Sequence, residues 1–460
     1  MKTLNGLKIA VVAGLLLVLA FAAVPGAGAQ QNIVWSTGIQ VQNLGTGTAN
    51  ITLTFYNSSN GSSAGSTNDT IAAGGSKTYF PVPLVQAGFN GSSVISSDQP
   101  VAAIMNLLGN GGAYGGSATG LTAGSTSVNL PLIMRANSGF DTWLNVQNAG
   151  NVDTTVTISY KPGSIGTAAS ETALIKPGAA HTFDQSTNAA LGAKFIGSAT
   201  VTTNNSQPIV AVVNQVGKTV SKTLLTYDGF GAGSTSVTLP LVMANNSGFF
   251  TGIGVQNVGN ASTTITIDYG PNTAGSFNPA NETATLAAGA SFATLQAAGQ
   301  WGANKYIGSA KITSTGQPLV AVLNQLRTTG VSVGTAYEGF NPATLTNKVS
   351  APLLMSNNGG YITAMQVANP GATALTINVA YSPNVAGTFN PTNISGLSIP
   401  AGSSVTIFQT GNSNGTNWGA NRYVGGATIT ATGGNIAAIV NELSLAPTGD
   451  QFLTYDGINF

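Results

Sequence analysis

Cysteine is absent from this chain of 460 residues, which excludes a disulfide framework and a lipidated-cysteine anchor and leaves apolar burial as the source of stability. Histidine is nearly absent. His181 is the only one, so Ser–His catalysis and zinc ligation would rest on a single side chain. Charge is scarce too, at 6% of residues, with 14 basic against 13 acidic side chains. The basic residues stand singly, whereas a phosphate backbone needs clustered Lys and Arg, so no nucleic-acid partner is expected. The same scarcity weakens repulsion between copies and favours self-association. No segment keeps a helical period, which puts helix content near zero. What the chain has instead is 60 glycines and a 42% share of hydrophobic residues. They are set in alternating runs, a pattern that speaks against disorder.

At the N-terminus Lys2 and Lys8 precede the apolar run from Ile9 to Ala23, and Pro25, Gly26, Ala27, Gly28 and Ala29 follow. This order of basic, apolar and small residues reads as a secretory signal peptide cleaved after Ala29. The run is short for a bilayer span, and Pro25 and Gly26 break a helix where a span would continue. The expectation is a secreted, extracellular protein associated with the cell surface, with no transmembrane segment after cleavage.

The rest of the chain repeats itself at intervals of about 110 residues, the size of a domain rather than of a solenoid turn. One block reads VQNLG at Val41, VQNAG at Val146, VQNVG at Val255 and VANPG at Val367. A second ends at Asn106, Asn214, Asn324 and Asn441, as QPVAAIMN, QPIVAVVN, QPLVAVLN and NIAAIVN. A third closes the later copies, as TYDGF at Thr226, AYEGF at Ala336 and TYDGI at Thr454. Within a copy, short runs rich in Val, Ile and Thr are bounded by Gly, Pro or Asn, so each copy reads as seven or eight strands in a two-layer antiparallel sandwich. Thr263 to Tyr269 alternates Ile265 and Ile267 with polar neighbours, giving one buried and one wet face. Val320, Val322 and Leu323 read as buried from both sides. The boundaries are 1–29 for the leader and 30–121, 122–230, 231–340 and 341–460 for four β-sandwich repeats. Linkers as short as Gly231 to Thr235 predict a stiff rod on the order of 120 to 150 Å long.

The repeated asparagine of the first block reads as a turn residue whose side chain bonds its own backbone, and Pro370 followed by Gly371 suggests a type II turn. The sequence V-x-N-x-G, alternating Thr and Ile, Tyr, then a Pro-Gly turn is carried by Val146 to Gly150, Thr154 to Tyr160, Pro177 and Gly178. It resembles bacterial Ig-like domains related to cell adhesion. The LPLxM and QPxVAVxNQ…YDGF blocks resemble those of repetitive secreted proteins of filamentous green non-sulfur bacteria. The resemblance covers the whole mature chain and implies an all-β, Ig-like fold and a surface location, with no cofactor and no chemistry.

Candidate chemistry is thin. His181 stands where the other copies have Lys77, Phe292 and Val405, as an ordinary strand position does. Asp228, Glu338 and Asp456 recur in the closing block, with Thr119 in the first copy. Calcium needs more oxygens than one carboxylate per copy supplies, so these acids read as caps of the turns at Gly229, Gly339 and Gly457. The loops WGANKYIG and WGANRYVG offer Trp301, Tyr306, Trp418 and Tyr423 as stacking platforms for cell-surface glycans. The second copy has Leu191 and Phe195 there, which suits plugs of the core instead.

One strand is short of a full set. SVNLPLIM at Ser127, SVTLPLVM at Ser236 and KVSAPLLM at Lys348 precede the later VQN blocks, and the first copy has none. Either the first or the last repeat should expose an open edge, unless Ile33 to Trp35 fills it. Open edges pair with other chains. The expected function is therefore a non-catalytic structural or adhesive surface protein, assembling head to tail into a filament or sheath. An extracellular array of carbohydrate-binding modules is the alternative.

Overall fold

The structure is a computed structural model that describes residues 14–18, 33–86, 88–218, 222–444 and 448–460. The leader reading falls almost wholly outside the described residues, apart from Gly14–Val18. The described residues are all-β, with a four-residue α-helix at Ala298–Trp301 and two 3-10 turns beside the strands.

The second repeat shows the plan. Its eight strands are Ser127–Arg135, Phe140–Asn148, Thr154–Ile165, Ala169–Ile175, Ala180–Asp184, Phe195–Thr203, Ile209–Gly217 and Leu224–Asp228. One sheet has the order fourth, third, sixth, first, and the other fifth, second, seventh, eighth, with every pairing antiparallel. The second–fifth and third–sixth neighbours are those of an Ig-like sandwich. The other three repeats follow the same order, and the fourth adds Ile458–Asn459 beyond its first strand. Thr263–Tyr269 alternates as its sequence predicts, with Ile265 and Ile267 buried and Thr264 and Asp268 exposed. His181 faces Val146 across the fifth-strand pairing, as Lys77 faces Val41, Phe292 Val255 and Val405 Val367.

The LPLxM strand belongs to the repeat that follows it, since each copy pairs with that repeat's sixth strand. In the first repeat the corresponding place beside Gly91–Ser97 is not open. Gly14–Val18 occupies it, with Leu16 opposite Ile95. Nor does Ile33 to Trp35 fill it, because Trp35 begins the next strand, Trp35–Asn43. Residues 14–18 therefore do the pairing that the expected open edge lacked.

The repeats do not form a rod. Each packs on the next and the fourth packs on the first, closing a ring. Ser92 Oγ donates to Gly178 O (2.9 Å), Ser198 Oγ to Gly289 O (2.7 Å) and Ser309 Oγ to Gly402 O (2.7 Å) across the first three seams. At the fourth, Ser350 Oγ donates to Gln42 Oε1 and Gln40 Nε2 to Pro352 O (3.3 Å). The linkers are short, as expected. What overturns the rod is apolar surface on the seventh strands: Leu319–Arg327 is buried at its first seven positions because one face meets its own core and the other a neighbouring repeat. The first repeat's core runs on into Trp143, Val210 and Val212 of the second, a continuity that independent beads would not have.

Candidate functional site: the ring axis and the seams

The four closing strands, Tyr114–Thr119, Leu224–Asp228, Val333–Glu338 and Phe452–Asp456, are edge strands of their sheets, and each packs against those of both neighbouring repeats around the ring's axis. An edge strand presents unpaired N–H groups that need acceptors when buried. At one level of the axis Asp450 supplies them. Its Oδ2 accepts the Leu224 N–H at 2.7 Å and its Oδ1 the Gly334 N–H at 2.8 Å. The N–H groups of Gly115 and Phe452 also donate to it. These four donors hold the same position in the four repeats, so one fully buried carboxylate ties all four together.

At the other end of the strands the recurrent acids form a closed cycle. Thr119 N–H donates to Asp228 Oδ2 (3.0 Å), Asp228 N–H to Glu338 Oε1, Glu338 N–H to the Asp456 carboxyl, and Asp456 N–H to Thr119 Oγ1 (3.3 Å). The acids are therefore not caps of their own turns. Each repeat receives a donor from its neighbour, and Thr119 of the first copy completes the cycle. Burial, then the neighbouring carboxyls, pushes Asp228 and Asp456 well above the usual carboxylate range, and burial raises Glu338. The Glu338 carboxyl is itself among the causes that raise Asp456. Among the described residues no group of three or more His, Cys, Asp or Glu side chains is placed to hold a metal ion.

Farther out, the asparagine that ends each QPxVAVxN block meets the residue after it in the neighbouring copy. Gln215 and Asn324 exchange two amide hydrogen bonds (3.0 and 2.7 Å), as do Gln325 and Asn441 (both 3.0 Å). Asn106 Nδ2 donates to Glu442 Oε2 at 2.8 Å, and burial pushes the Glu442 carboxyl up to about 8. In the remaining seam Leu107 stands at the glutamine position, and Asn214 Nδ2 has no partner.

The glycan platform is not formed. Trp301, Tyr306, Trp418 and Tyr423 are all buried, at 8%, 0%, 1% and 0% exposure. They pack edge-on or tilted within the third and fourth cores, against Tyr269 and Phe277 or Tyr381 and Phe389. The Tyr306 and Tyr423 hydroxyls donate to Gly270 O and Ser382 O. A sugar has no ring face to stack on, and the plug reading is the one realised.

The VQNxG asparagines are structural as expected, by a local route. In each copy Nδ2 donates to at least two carbonyls and Oδ1 accepts the N–H two residues on; for Asn148 the partners are Val152 O, Ile175 O and Gly150 N. Asn43, Asn257 and Asn369 repeat this. The glycine is not in the left-handed conformation of a type II turn. It is small because a Cβ on Gly150 would meet Gln207 Oε1 at 2.2 Å, and that oxygen accepts the Asn151 N–H (3.1 Å).

Three of the four seams also hold apolar cavities, of about 260, 170 and 540 Å³. Each is lined by the second Leu and the Met of an LPLxM block on one side and by the second strand of a neighbouring repeat on the other. Neither the cavities nor the axis is readable from any single copy.

No family model and no curated protein matches the chain. A crystal structure of a tetra-tandem repeat in the extending region of a large adhesion protein aligns with it at 11% identity, over 97% of this chain and 100% of that one. The TM-score is 0.09, too low for either shape or role to be carried across. The resemblance to adhesion-related Ig-like repeats and to a bacterial lineage thus rests on the motifs alone. Among the described residues no helix is long and apolar enough to cross a membrane.

Proposed function

We propose that this chain is an exported, non-catalytic structural or adhesive component of a cell surface, built as a rigid ring of four sandwiches. The observation that supports the reading is where the recurrent polar and aromatic side chains go. Asp228, Glu338, Asp456 and Asp450 hold the repeats around the axis, and the Trp and Tyr rings of the WGAN loops fill cores. What faces outward is mostly neutral and polar, with charges such as Lys77, Asp98, Asp153 and Lys348 set singly and of both signs. Thr52 and Asn68, Thr54 and Ser66, and Thr264 and Thr285 form hydroxyl and amide ladders on exposed strands. Such a surface offers many weak hydrogen bonds and no steering charge, which suits contact with a matrix better than turnover of a substrate. Head-to-tail growth is disfavoured because the fourth repeat already packs on the first, so any assembly would join ring to ring.

The test is fractionation of cells producing the full chain with a C-terminal tag, followed by N-terminal sequencing and a retention assay on bead-bound cells. The expected product begins at Gln30, is stripped from intact cells by protease, and increases their retention. An unprocessed protein confined to the cytoplasm would overturn the proposal.

A further inference from the structure

One position in each repeat looks into a seam. It lies on the second strand, opposite the asparagine of the QPxVAVxN block, and is Gly38 opposite Asn106, Trp143 opposite Asn214, Gly252 opposite Asn324 and Ala364 opposite Asn441. Three of the four residues are small, and their seams are those with cavities, each lined by the small residue itself. The fourth is tryptophan. Its side chain is 1% exposed, lies 6.0 Å from Trp35 ring to ring, and belongs to the first repeat's core across the seam. The molecule thus fills this place with an indole once and leaves it unfilled three times.

A second difference travels with the first. The fifth-strand residue beside this position is Asp184 in the filled seam, and Phe80, Leu295 or Phe408 in the others. Those three are exposed by 64%, 52% and 48%. They stand at the mouths of the cavities. The largest cavity, between the second and third repeats, has Leu132, Met134, Phe140, Phe250 and Leu326 as walls and no charged side chain in its lining. At 540 Å³ it falls within the range of small-molecule sites, about 300–1,000 Å³.

We propose that this seam is a binding site for a neutral, planar aromatic molecule of about indole size, seated where Trp143 sits in the first seam. Leu132 and Met134 press on it from the second repeat, Leu295 covers it at the mouth, and the absent Cβ of Gly252 makes its room. Apolar cavities bind such molecules without polar steering: a cavity of roughly 150 Å³ takes up benzene.

The experiment is calorimetric titration of the full chain with indole, beside two variants. Leu295→Asp copies the filled seam at an exposed site and should leave the fold intact while weakening binding at least tenfold. Gly252→Trp supplies the ring covalently and should abolish the strongest site without lowering the melting temperature. Saturable binding that Leu295→Asp weakens at least tenfold and Gly252→Trp abolishes supports the site. Absence of saturable heat up to the solubility of indole overturns it, as does binding that Leu295→Asp leaves unchanged. If Gly252→Trp fails to fold, Leu295→Asp alone decides.

Discussion

At the scale of single residues, the carboxyls of this chain do what their rarity in the sequence does not suggest. Glu442 is buried beside Asn106, at the position that Gln215 and Gln325 hold in the preceding copies. Burial raises its pKa from 4.5 to about 8, so the folded ring holds a proton that the unfolded chain has released above about pH 4.5. The contribution of this group is fully present below that pH and is lost as pH rises toward 8. Asp228, Glu338, Asp456 and Asp450 shift in the same direction, burial being the first cause in each. Thermal stability is therefore expected to fall between pH 5 and pH 9. Glu442→Gln should remove part of that slope by restoring the amide pair of the other seams. The gain is about 1–3 kcal/mol at pH 9 and near zero at pH 5. Melting curves of both proteins across that range check it; parallel curves would show that Glu442 does not titrate with folding.

At the scale of elements, strand edges explain which motifs belong together. Each LPLxM strand carries a register irregularity at its proline, as a residue without an N–H requires inside a sheet. The leucine after that proline is bonded at both N–H and C=O by one hydroxyl: Tyr227 serves Leu132, Tyr337 serves Leu241 and Tyr455 serves Leu353. The first repeat has no LPLxM block and carries Ala118 where that tyrosine stands. Tyr337→Phe is expected to cost about 1–3 kcal/mol, by leaving two buried backbone groups without a partner. Hydrogen exchange should localise the loss to Ser236–Ala244; uniform loss across the third repeat would contradict the assignment. The strands themselves were legible, because alternation as in Thr263–Tyr269 reports one buried face. The pairing partner of each LPLxM strand was not, since the run from Ser127 to Met134 reads the same on either side of a repeat boundary. Gly14–Val18 was hidden for another reason: an apolar leader and a strand with two apolar faces have the same composition.

At the scale of the whole molecule, closure depends on surfaces that no single repeat displays as a motif. Trp301 and Trp418 offer two readings in the sequence, with Leu191 and Phe195 of the second copy favouring plugs over platforms, and the packing of Tyr269 and Tyr381 against them decides. Asp450 has no counterpart in the other copies, where Ala113, Lys222 and Ser332 stand, so repetition pointed away from the residue on which all four repeats converge. Its single carboxylate satisfies one N–H from each closing strand. Asp450→Ala strands these four donors, at about 1–3 kcal/mol for each buried group left unmade. The same substitution at exposed Asp153 should change stability by less than about 0.5 kcal/mol. Small-angle scattering gives the shape directly. A compact body of this length has a radius of gyration of about 23 Å, whereas a rod of four sandwiches on the order of 120 to 150 Å long would give roughly 40 Å. The intact protein is expected near the smaller value, and Asp450→Ala should move toward the larger before its sandwiches melt, because each retains its own core when the ring opens. A value near 40 Å for the intact chain would return the molecule to a rod.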